Sequence, residues 1–327
     1  MVKDLVSFRG AKIIKEEANV LKEFEKITKK NFSKVEKIEY DTQMGFIVQG
    51  NNIVGLGMYH CDLVTIPTSI ENLSALKELN LYLNKIQELP PSFCNLYSLE
   101  TLHLEGNQIS QLPKNIGNLS SLKFLELSSN QIEKIPWTLG NLHALEYLEL
   151  SANKIKELPD SIGNLTSLKQ LRMDQNELMT VPDSIGNLNS LNALYMGSNR
   201  ISSLPNSIGN LTSLKSLGLG NNQLKTVPFT IGSLTSLEFL SIGSNQLISI
   251  PDTLQNLLNL EKVYLDNNNL SVFPKFIDKL TSWAEKPFQS ASEGPSLREI
   301  SLGYNPFCEE AFWQRKRNKM QEKGIRI

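Results

Sequence analysis

One histidine of this sequence lies where acid–base chemistry is conceivable. His103 stands two residues before Glu105, and Glu126 follows it by 23 residues. An imidazole beside carboxylates can take up or release a proton near neutral pH. We nevertheless interpret His103 as part of a binding surface, because nothing singles out one serine of the chain as its nucleophile.

Other catalytic and metal-binding motifs are absent from the sequence. It contains no G-x-x-x-x-G-K-[ST] phosphate loop, no H-E-x-x-H pair and no cysteine–histidine cluster with zinc spacing. His60 and His103 are predicted to lie about two strands, roughly 10 Å, apart, which is too far to share a metal ion. The sequence therefore predicts a non-enzymatic protein without metal or cofactor. A hydrolase or transferase that depends on His103 stays as an alternative.

Cysteine usage and charge restrict the compartment and the partners. Cys61, Cys94 and Cys308 lie far apart and are odd in number, so a reducing compartment is expected. The start lacks an apolar signal region and no apolar run reaches membrane length, which predicts a cytoplasmic chain outside the membrane. Residues 51–307 carry 17 basic and 23 acidic side chains, a net charge of −6. Such an acidic body predicts no nucleic-acid binding.

A repeat of 23 residues organises the chain. Asparagine recurs at this spacing from Asn84 to Asn268, and proline from Pro67 to Pro274. Around each asparagine the pattern is L-x-x-L-x-L-x-x-N-x-L, in which the alternating L-x-L is typical of a short strand. The asparagine amide is expected to donate to and accept from neighbouring backbone, which gives a ladder along the stack. Proline starts the return path, and S-I-G-N-L predicts a short helical turn.

This repeat pattern predicts an α/β solenoid, a stack of repeats with a parallel sheet on its concave side and short helical turns on its convex side. Residues 1–50 are predicted as an N-terminal cap, with an amphipathic helix over 14–29 and a hairpin over Gly45–Met58. Residues 51–307 hold eleven repeats with an insertion near 283–296, and residues 308–327 a capping helix. A glycine column between Gly117 and Gly232 is expected to need no positive φ, because other residues fill it in some repeats.

The positions between the leucines of each strand face away from the core and vary, so they are the candidate partner surface. Exposed aromatic rings beside carboxylates suit a partner that offers lysine or arginine with apolar stems. The predicted partner-binding residues are Glu105, Phe124, Glu126, Tyr147, Glu149, Arg172, Asp174 and Tyr195.

The alternative is that these carboxylates form an ordinary solvated face, with Arg172 paired to Glu149. Stacked strands, however, place the like charges of Glu126 and Glu149 side by side, which costs stability and favours a binding role. The following repeats instead carry small residues such as Gly197 and Gly218. That part of the sheet is expected to be bare and open to a closely packed helix or loop.

The 23-residue form with L-P-x-S-I-G-N-L-x-S-L, as in residues 158–168, resembles the intracellular leucine-rich repeat proteins of the Ras-suppressor-like and plant Ras-group-related group. The caps are similar to those of archaeal and bacterial members. The resemblance implies a right-handed horseshoe and a monomeric signalling adaptor that binds protein, sometimes a small GTPase or a phosphatase. A structural, self-associating repeat protein is the alternative.

Overall fold

A computed structural model of the protein describes residues 4–282, 297–309, 311–322 and 324–327. The chain divides into two compact units, residues 1–168 and residues 169–327. The insertion predicted near 283–296 lies outside the described residues.

Short strands and turns built from the repeat dominate the first unit. Strands β5 to β9 are parallel, and each residue lies opposite the residue 23 positions further along the chain. The elements are β1 (Leu5–Phe8), β2 (Ala11–Ile14), α1 (Lys15–Thr28), β3 (Ser33–Lys34), β4 (Gly45–Gln49), β5 (Asn52–Gly57), β6 (Glu78–Asn80), β7 (Thr101–His103), β8 (Phe124–Glu126) and β9 (Tyr147–Glu149). Between them lie the 3₁₀ helices Thr68–Asn72, Pro91–Asn95, Ile116–Asn118, Trp137–Asn141 and Asp160–Asn164.

The second unit continues the same alternation. Its strands are also parallel, with the 23-residue register from β10 to β14. The elements are β10 (Gln170–Arg172), β11 (Ala193–Tyr195), β12 (Ser216–Gly218), β13 (Phe239–Ser241), β14 (Lys262–Tyr264), α2 (Lys275–Ser282), β15 (Glu299–Ser301) and α3 (Ala311–Glu322). The 3₁₀ helices are Asp183–Asn187, Asn206–Asn210, Phe229–Ser233, Asp252–Asn256 and Pro306–Glu309.

The repeat asparagines form the predicted ladder. In Asn107 the side-chain amide donates to the carbonyl oxygens of Leu104, at 3.0 Å, and of Leu81 in the preceding repeat, at 2.9 Å. Its side-chain oxygen accepts a hydrogen bond of 3.0 Å from the backbone N–H of Ile86. The asparagine is buried and satisfies backbone groups of two repeats at once, so the ladder holds neighbouring turns in register.

The glycine column lies where consecutive turns approach each other closely. Gly117 has no positive φ, as expected. A Cβ added to it would nevertheless lie 2.0 Å from the carbonyl oxygen of Thr138 in the next repeat, and at Gly140 one would lie 2.2 Å from that of Ser161. These glycines therefore serve packing between turns.

The structure places a helix and a hairpin in the first residues close to the predicted ranges, with α1 at Lys15–Thr28 and β4 antiparallel to β5. An additional hairpin, β1–β2, precedes them and was not predicted. Its two-residue turn, Arg9–Gly10, has positive φ at both positions, which suits the twist of a tight hairpin. At the other end of the chain, α3 covers Ala311–Glu322 within the predicted helical range.

Candidate functional site

Strands β8 and β9 direct alternate side chains away from the leucine core. Leu125 and Leu148 are fully buried, so the residues on either side of them lie on the opposite face of the sheet. We call this side of β5 to β9 the open face. The parallel register sets Phe124 opposite Tyr147 and Glu126 opposite Glu149. The predicted juxtaposition of two glutamates on neighbouring strands is therefore present.

Three rings form a row on the open face. Phe124 and Tyr147 stack with centroids 4.3 Å apart and 3° between their planes. The ring of His103 lies 5.2 Å from that of Phe124, tilted by 50°. All three side chains are half-buried. This ring row supplies an apolar ridge whose members hold one another in place.

Each carboxylate beside the ring row has a different environment. The Nδ1 atom of His103 lies 2.7 Å from Oε2 of Glu126. Glu149 is buried and accepts a hydrogen bond of 2.8 Å from the backbone N–H of Ser151. Burial raises the pKa of Glu105, and the nearby charges of Glu126 and Glu149 raise it further. The charges of Glu126 and Glu149 therefore disfavour the ionised form of Glu105, although burial is the larger cause.

The chain's own N-terminal segment covers part of the same face, which the sequence pattern did not reveal. The side-chain amide of Asn80 donates to the carbonyl oxygens of Glu39, at 3.2 Å, and Tyr40, at 2.8 Å. A Cβ at Gly57 would lie 2.7 Å from the methyl carbon of Thr42, so the segment packs directly on β5. Glycine in these outward positions was the one signal of such a covering segment.

Tyr40 of this segment forms a group of rings with two tyrosines of the repeats. We call the group the tyrosine cluster: Tyr40, Tyr59 and Tyr82. The rings of Tyr40 and Tyr59 are 6.0 Å apart, and those of Tyr59 and Tyr82 are 5.4 Å apart. Tyr40 is 72% exposed. Burial raises the pKa of Tyr82, and Glu105 and Glu126 add to the shift, which places those carboxylates near the cluster.

In the second unit the structure brings Arg172, Asp174 and Tyr195 together. The guanidinium of Arg172 lies 5.1 Å from the centroid of the Tyr195 ring, and its Nε is 3.9 Å from Oδ2 of Asp174. The backbone N–H of Gly197 donates to Asp174 at 2.8 Å. Burial raises the pKa of Asp174, although Gly197 and Arg172 oppose the shift.

The small-residue part of the second sheet is not bare at Gly218. A Cβ at Gly218 would lie 2.7 Å from the Tyr195 ring, so that ring already covers it. The expectation of an uncovered glycine surface is therefore wrong at this position. The cause is the neighbouring tyrosine, which folds over a residue that lacks a side chain.

Two further properties of the described residues bear on function. None of their helices combines the length and the apolar character needed to cross a membrane. Within the same part of the chain, no three histidine, cysteine, aspartate or glutamate side chains are grouped so that they could hold a metal ion.

Family models agree with the repeat pattern. A model described as leucine-rich repeat region matches residues 108–200, and one described as leucine rich repeat matches residues 61–109 and 74–132. Another leucine rich repeat model matches residues 236–257 and 259–280. No curated protein matches the chain significantly.

Solved structures show the same fold. A leucine-rich repeat protein of Leptospira interrogans is 32% identical with a TM-score of 0.68, and the match covers 76% of this chain and 60% of that one. The Arabidopsis receptor kinase HAESA, solved with the peptide hormone IDA and the co-receptor SERK1, is 28% identical with a TM-score of 0.67, covering 83% of this chain and 45% of that one.

A third similar structure is the leucine-rich repeat ectodomain of the Arabidopsis receptor kinase GASSHO1/SCHENGEN3 in complex with CASPARIAN STRIP INTEGRITY FACTOR 2. It is 26% identical with a TM-score of 0.61, covering 74% of this chain and 31% of that one. The chain thus spans less than two thirds of each of these relatives. Together with the parallel strands, the similarities confirm the predicted α/β solenoid.

Proposed function

The chain is a leucine-rich repeat protein, and we propose that it is a non-enzymatic scaffold that binds a protein partner through the open face of its first unit. The observation that carries the proposal is the ring row beside Glu105, Glu126 and Glu149. Like charges held close together, one of them buried, cost folding free energy. Such a cost on an accessible face is typical of binding sites.

The proposed contact residues form one group on the open face of the first unit and a second candidate group in the second unit. In the first they are Glu105, Phe124, Glu126, Tyr147 and Glu149. In the second, Arg172, Asp174 and Tyr195 offer a cation, a carboxylate and a ring within mutual contact. Each group combines a rigid aromatic side chain with charged ones, a composition favoured at the centres of protein interfaces.

The class of partner is supported by the relatives. Two of the similar plant receptors were solved with a peptide hormone or an integrity factor bound. The resemblance to the Ras-suppressor-like group extends the proposal to signalling in the cytoplasm, with a small GTPase among the candidate partners. We propose a monomer that binds neither nucleic acid nor membrane, because residues 51–307 carry a net charge of −6.

The self-associating alternative finds less support at the sheet edges. In the first unit, strand β3 at the edge has two residues only. In the second, the backbone of Arg326 pairs with β15, since the N–H of Ile300 donates to its carbonyl oxygen at 2.8 Å. Short and covered edges leave little backbone for pairing between copies. Concentration-dependent assembly without other partners would favour this alternative.

Affinity capture from cell lysate tests the proposal. Wild-type protein is compared with Glu126→Lys/Glu149→Lys, and with Glu133→Lys/Glu157→Lys as a control of equal net charge whose exposed carboxylates lie outside the strands. Small GTPases are added in both nucleotide states. The proposal predicts a protein that wild type and control retain and the first variant loses. Equal retention by all three would remove the open face from the proposal. Activity abolished by His103→Ala would instead favour an enzyme.

A further inference from the structure

The open face of the first unit carries two aromatic groups with carboxylates between them. The tyrosine cluster lies at one side and the ring row at the other. Glu105 connects them electrostatically, because its charge acts on Tyr82 while Glu126 and Glu149 act on Glu105 itself. Glu78 extends the acidic area, and its pKa is raised by burial and by Glu39, against a lowering by His103. The strand register sets Asn80, His103, Glu126 and Glu149 at equivalent positions of neighbouring strands, so rings and carboxylates belong to one continuous surface.

Lysine and arginine are missing from the outward positions of this surface, where His103, beside Glu126, is the one basic side chain. In strands β5 to β9 and the residues that follow them, the positions six, four and two before each ladder residue contain four glutamates and neither lysine nor arginine. The glutamates are Glu78, Glu105, Glu126 and Glu149. At the margin of the surface, Lys37 pairs with Glu39, and the Nζ of Lys30 lies 3.3 Å from the carbonyl oxygen of His60.

Part of the N-terminal segment packs on this face as a tight turn, in which the backbone N–H of Thr42 donates to the carbonyl oxygen of Glu39 at 3.1 Å. Its carbonyl groups are held by Asn80, Thr42 fills the space above Gly57, and the ring of Tyr40 packs against Tyr59. A partner cannot occupy the same place. The free surface begins at Tyr40, whose exposed ring forms the border between the covered part of the sheet and the open part.

From this charge complementarity we propose that the partner docks a basic segment between Tyr40 and Glu149, with arginine or lysine side chains at the glutamates and apolar side chains against the two aromatic groups. The inference rests on the proposed function and specifies the chemistry of the partner. Tyr40 and Tyr82 thereby join the binding surface, although Tyr40 belongs to a segment outside the repeats. An incoming cation would relieve the repulsion among the glutamates, which is a gain that an acidic or neutral segment lacks.

Defined peptides test the inference by fluorescence anisotropy. One labelled peptide of about eight residues, long enough to cross the face when extended, alternates arginine with leucine and serine. A second has glutamate in place of arginine. The arginine peptide should bind wild-type protein and the glutamate peptide should not. Tyr40→Ala and Glu105→Gln should each weaken binding roughly five- to tenfold, consistent with the usual cost of truncating an interface contact.

Control variants distinguish binding at this surface from a general attraction of the peptide by the negative charge of the protein. Tyr97→Ala removes a tyrosine that is 54% exposed near the 3₁₀ helix Pro91–Asn95, and it should leave binding unchanged. Glu133→Lys/Glu157→Lys should weaken binding far less than Glu126→Lys/Glu149→Lys. Equal weakening by both charge variants, or no effect of Tyr40→Ala and Glu105→Gln, would overturn the inference.

The peptide and lysate experiments together distinguish failure of this inference from failure of the proposed function. Binding of the glutamate peptide, lost on Glu126→Lys/Glu149→Lys, would overturn the basic-segment inference and leave the open face as a binding surface. If neither peptide binds while lysate capture still depends on Glu126 and Glu149, the inference fails and the scaffold proposal stands. Capture that does not depend on these glutamates would remove the basis of both.

Discussion

Phe124 and Tyr147 lie face to face on neighbouring strands, with their ring centroids 4.3 Å apart and 3° between the ring planes. The stack follows from the parallel register, because both residues occupy the same position in consecutive repeats. Each ring covers one face of the other and restricts its rotation. The open face therefore presents a preformed apolar ridge beside Glu126 and Glu149, and a partner would not have to order it on binding.

The stack should contribute measurably to stability. Phe124→Ala and Tyr147→Ala are each expected to destabilise the protein, and the double variant should lose about 1 kcal/mol less than the sum of the two. Urea denaturation of the four proteins measures this coupling. The pair Tyr97→Ala and Tyr147→Ala, whose side chains lie in different parts of the unit, serves as the control and should be additive. Additive losses for Phe124 and Tyr147 would show that the rings contribute only separately.

Alanine substitution of a ladder asparagine should lower the unfolding free energy far more than substitution of a surface asparagine. The Asn130 side chain donates to the carbonyl oxygens of Leu104 and Leu127 and accepts from the backbone N–H of Ile109. Asn130→Ala leaves these buried groups without partners and should cost about 3 kcal/mol of unfolding free energy. Asn118→Ala, at an exposed position, should change it by less than about 0.5 kcal/mol. Similar effects of both variants would contradict the ladder's role.

The close approach at the glycine column gives a steric prediction. Gly117→Ala sets a methyl group against the Thr138 carbonyl and should destabilise the protein by about 1–3 kcal/mol as the two turns separate. Gly303→Ala is the matched control, because a Cβ there meets nothing within 4 Å. Thermal unfolding of both variants measures the difference in their melting temperatures. Equal melting temperatures would mean that the turns adjust freely.

The repeat spacing was sufficient to predict which residues lie opposite one another on neighbouring strands. The spacing of Asn107 and Asn130 predicted the ladder, and the same spacing predicted Phe124 beside Tyr147 and Glu126 beside Glu149, as the strand register shows. The reason is physical: in a solenoid each residue's neighbour is the equivalent residue of the next repeat. Aligning the repeats with one another therefore predicts which residues are neighbours wherever the chain keeps the 23-residue period.

Contacts from outside the period could not be predicted in this way. The segment that ends at Thr42 has no equivalent in other repeats, so the glycine at position 57 was the one signal that the strand is covered, and nothing predicted the placement of Tyr40. Within the period, the spacing sets Tyr195 opposite Gly218, but the position of the ring over the glycine depends on a side-chain torsion that the spacing does not determine. Such contacts are set by tertiary packing alone, and they define the borders of the candidate surface.

Glu105 gives a prediction about pH. Burial and the charges of Glu126 and Glu149 raise its pKa above the ordinary value of 4.5, so ionised Glu105 destabilises the folded state. The penalty is absent below the ordinary pKa, grows as pH rises through the raised pKa and is fully present at neutral pH. Glu105→Gln should therefore raise the unfolding free energy at pH 7, by about 0.5 kcal/mol if the cost is that of like charges on neighbouring strands.

The control for this prediction is Glu100→Gln, for which the opposite sign is expected. The hydrogen bond from Lys123, 2.8 Å long, lowers the pKa of Glu100, so its charge stabilises the fold above the ordinary pKa and this gain disappears as pH falls. Urea denaturation at pH 7 and near pH 4 should show Glu105→Gln more stable than wild type, and Glu100→Gln slightly less stable, with both differences shrinking at the lower pH. If Glu105→Gln instead loses stability at pH 7, the carboxylate is held by favourable contacts, and a partner's positive charge would gain nothing from relieving repulsion at this site.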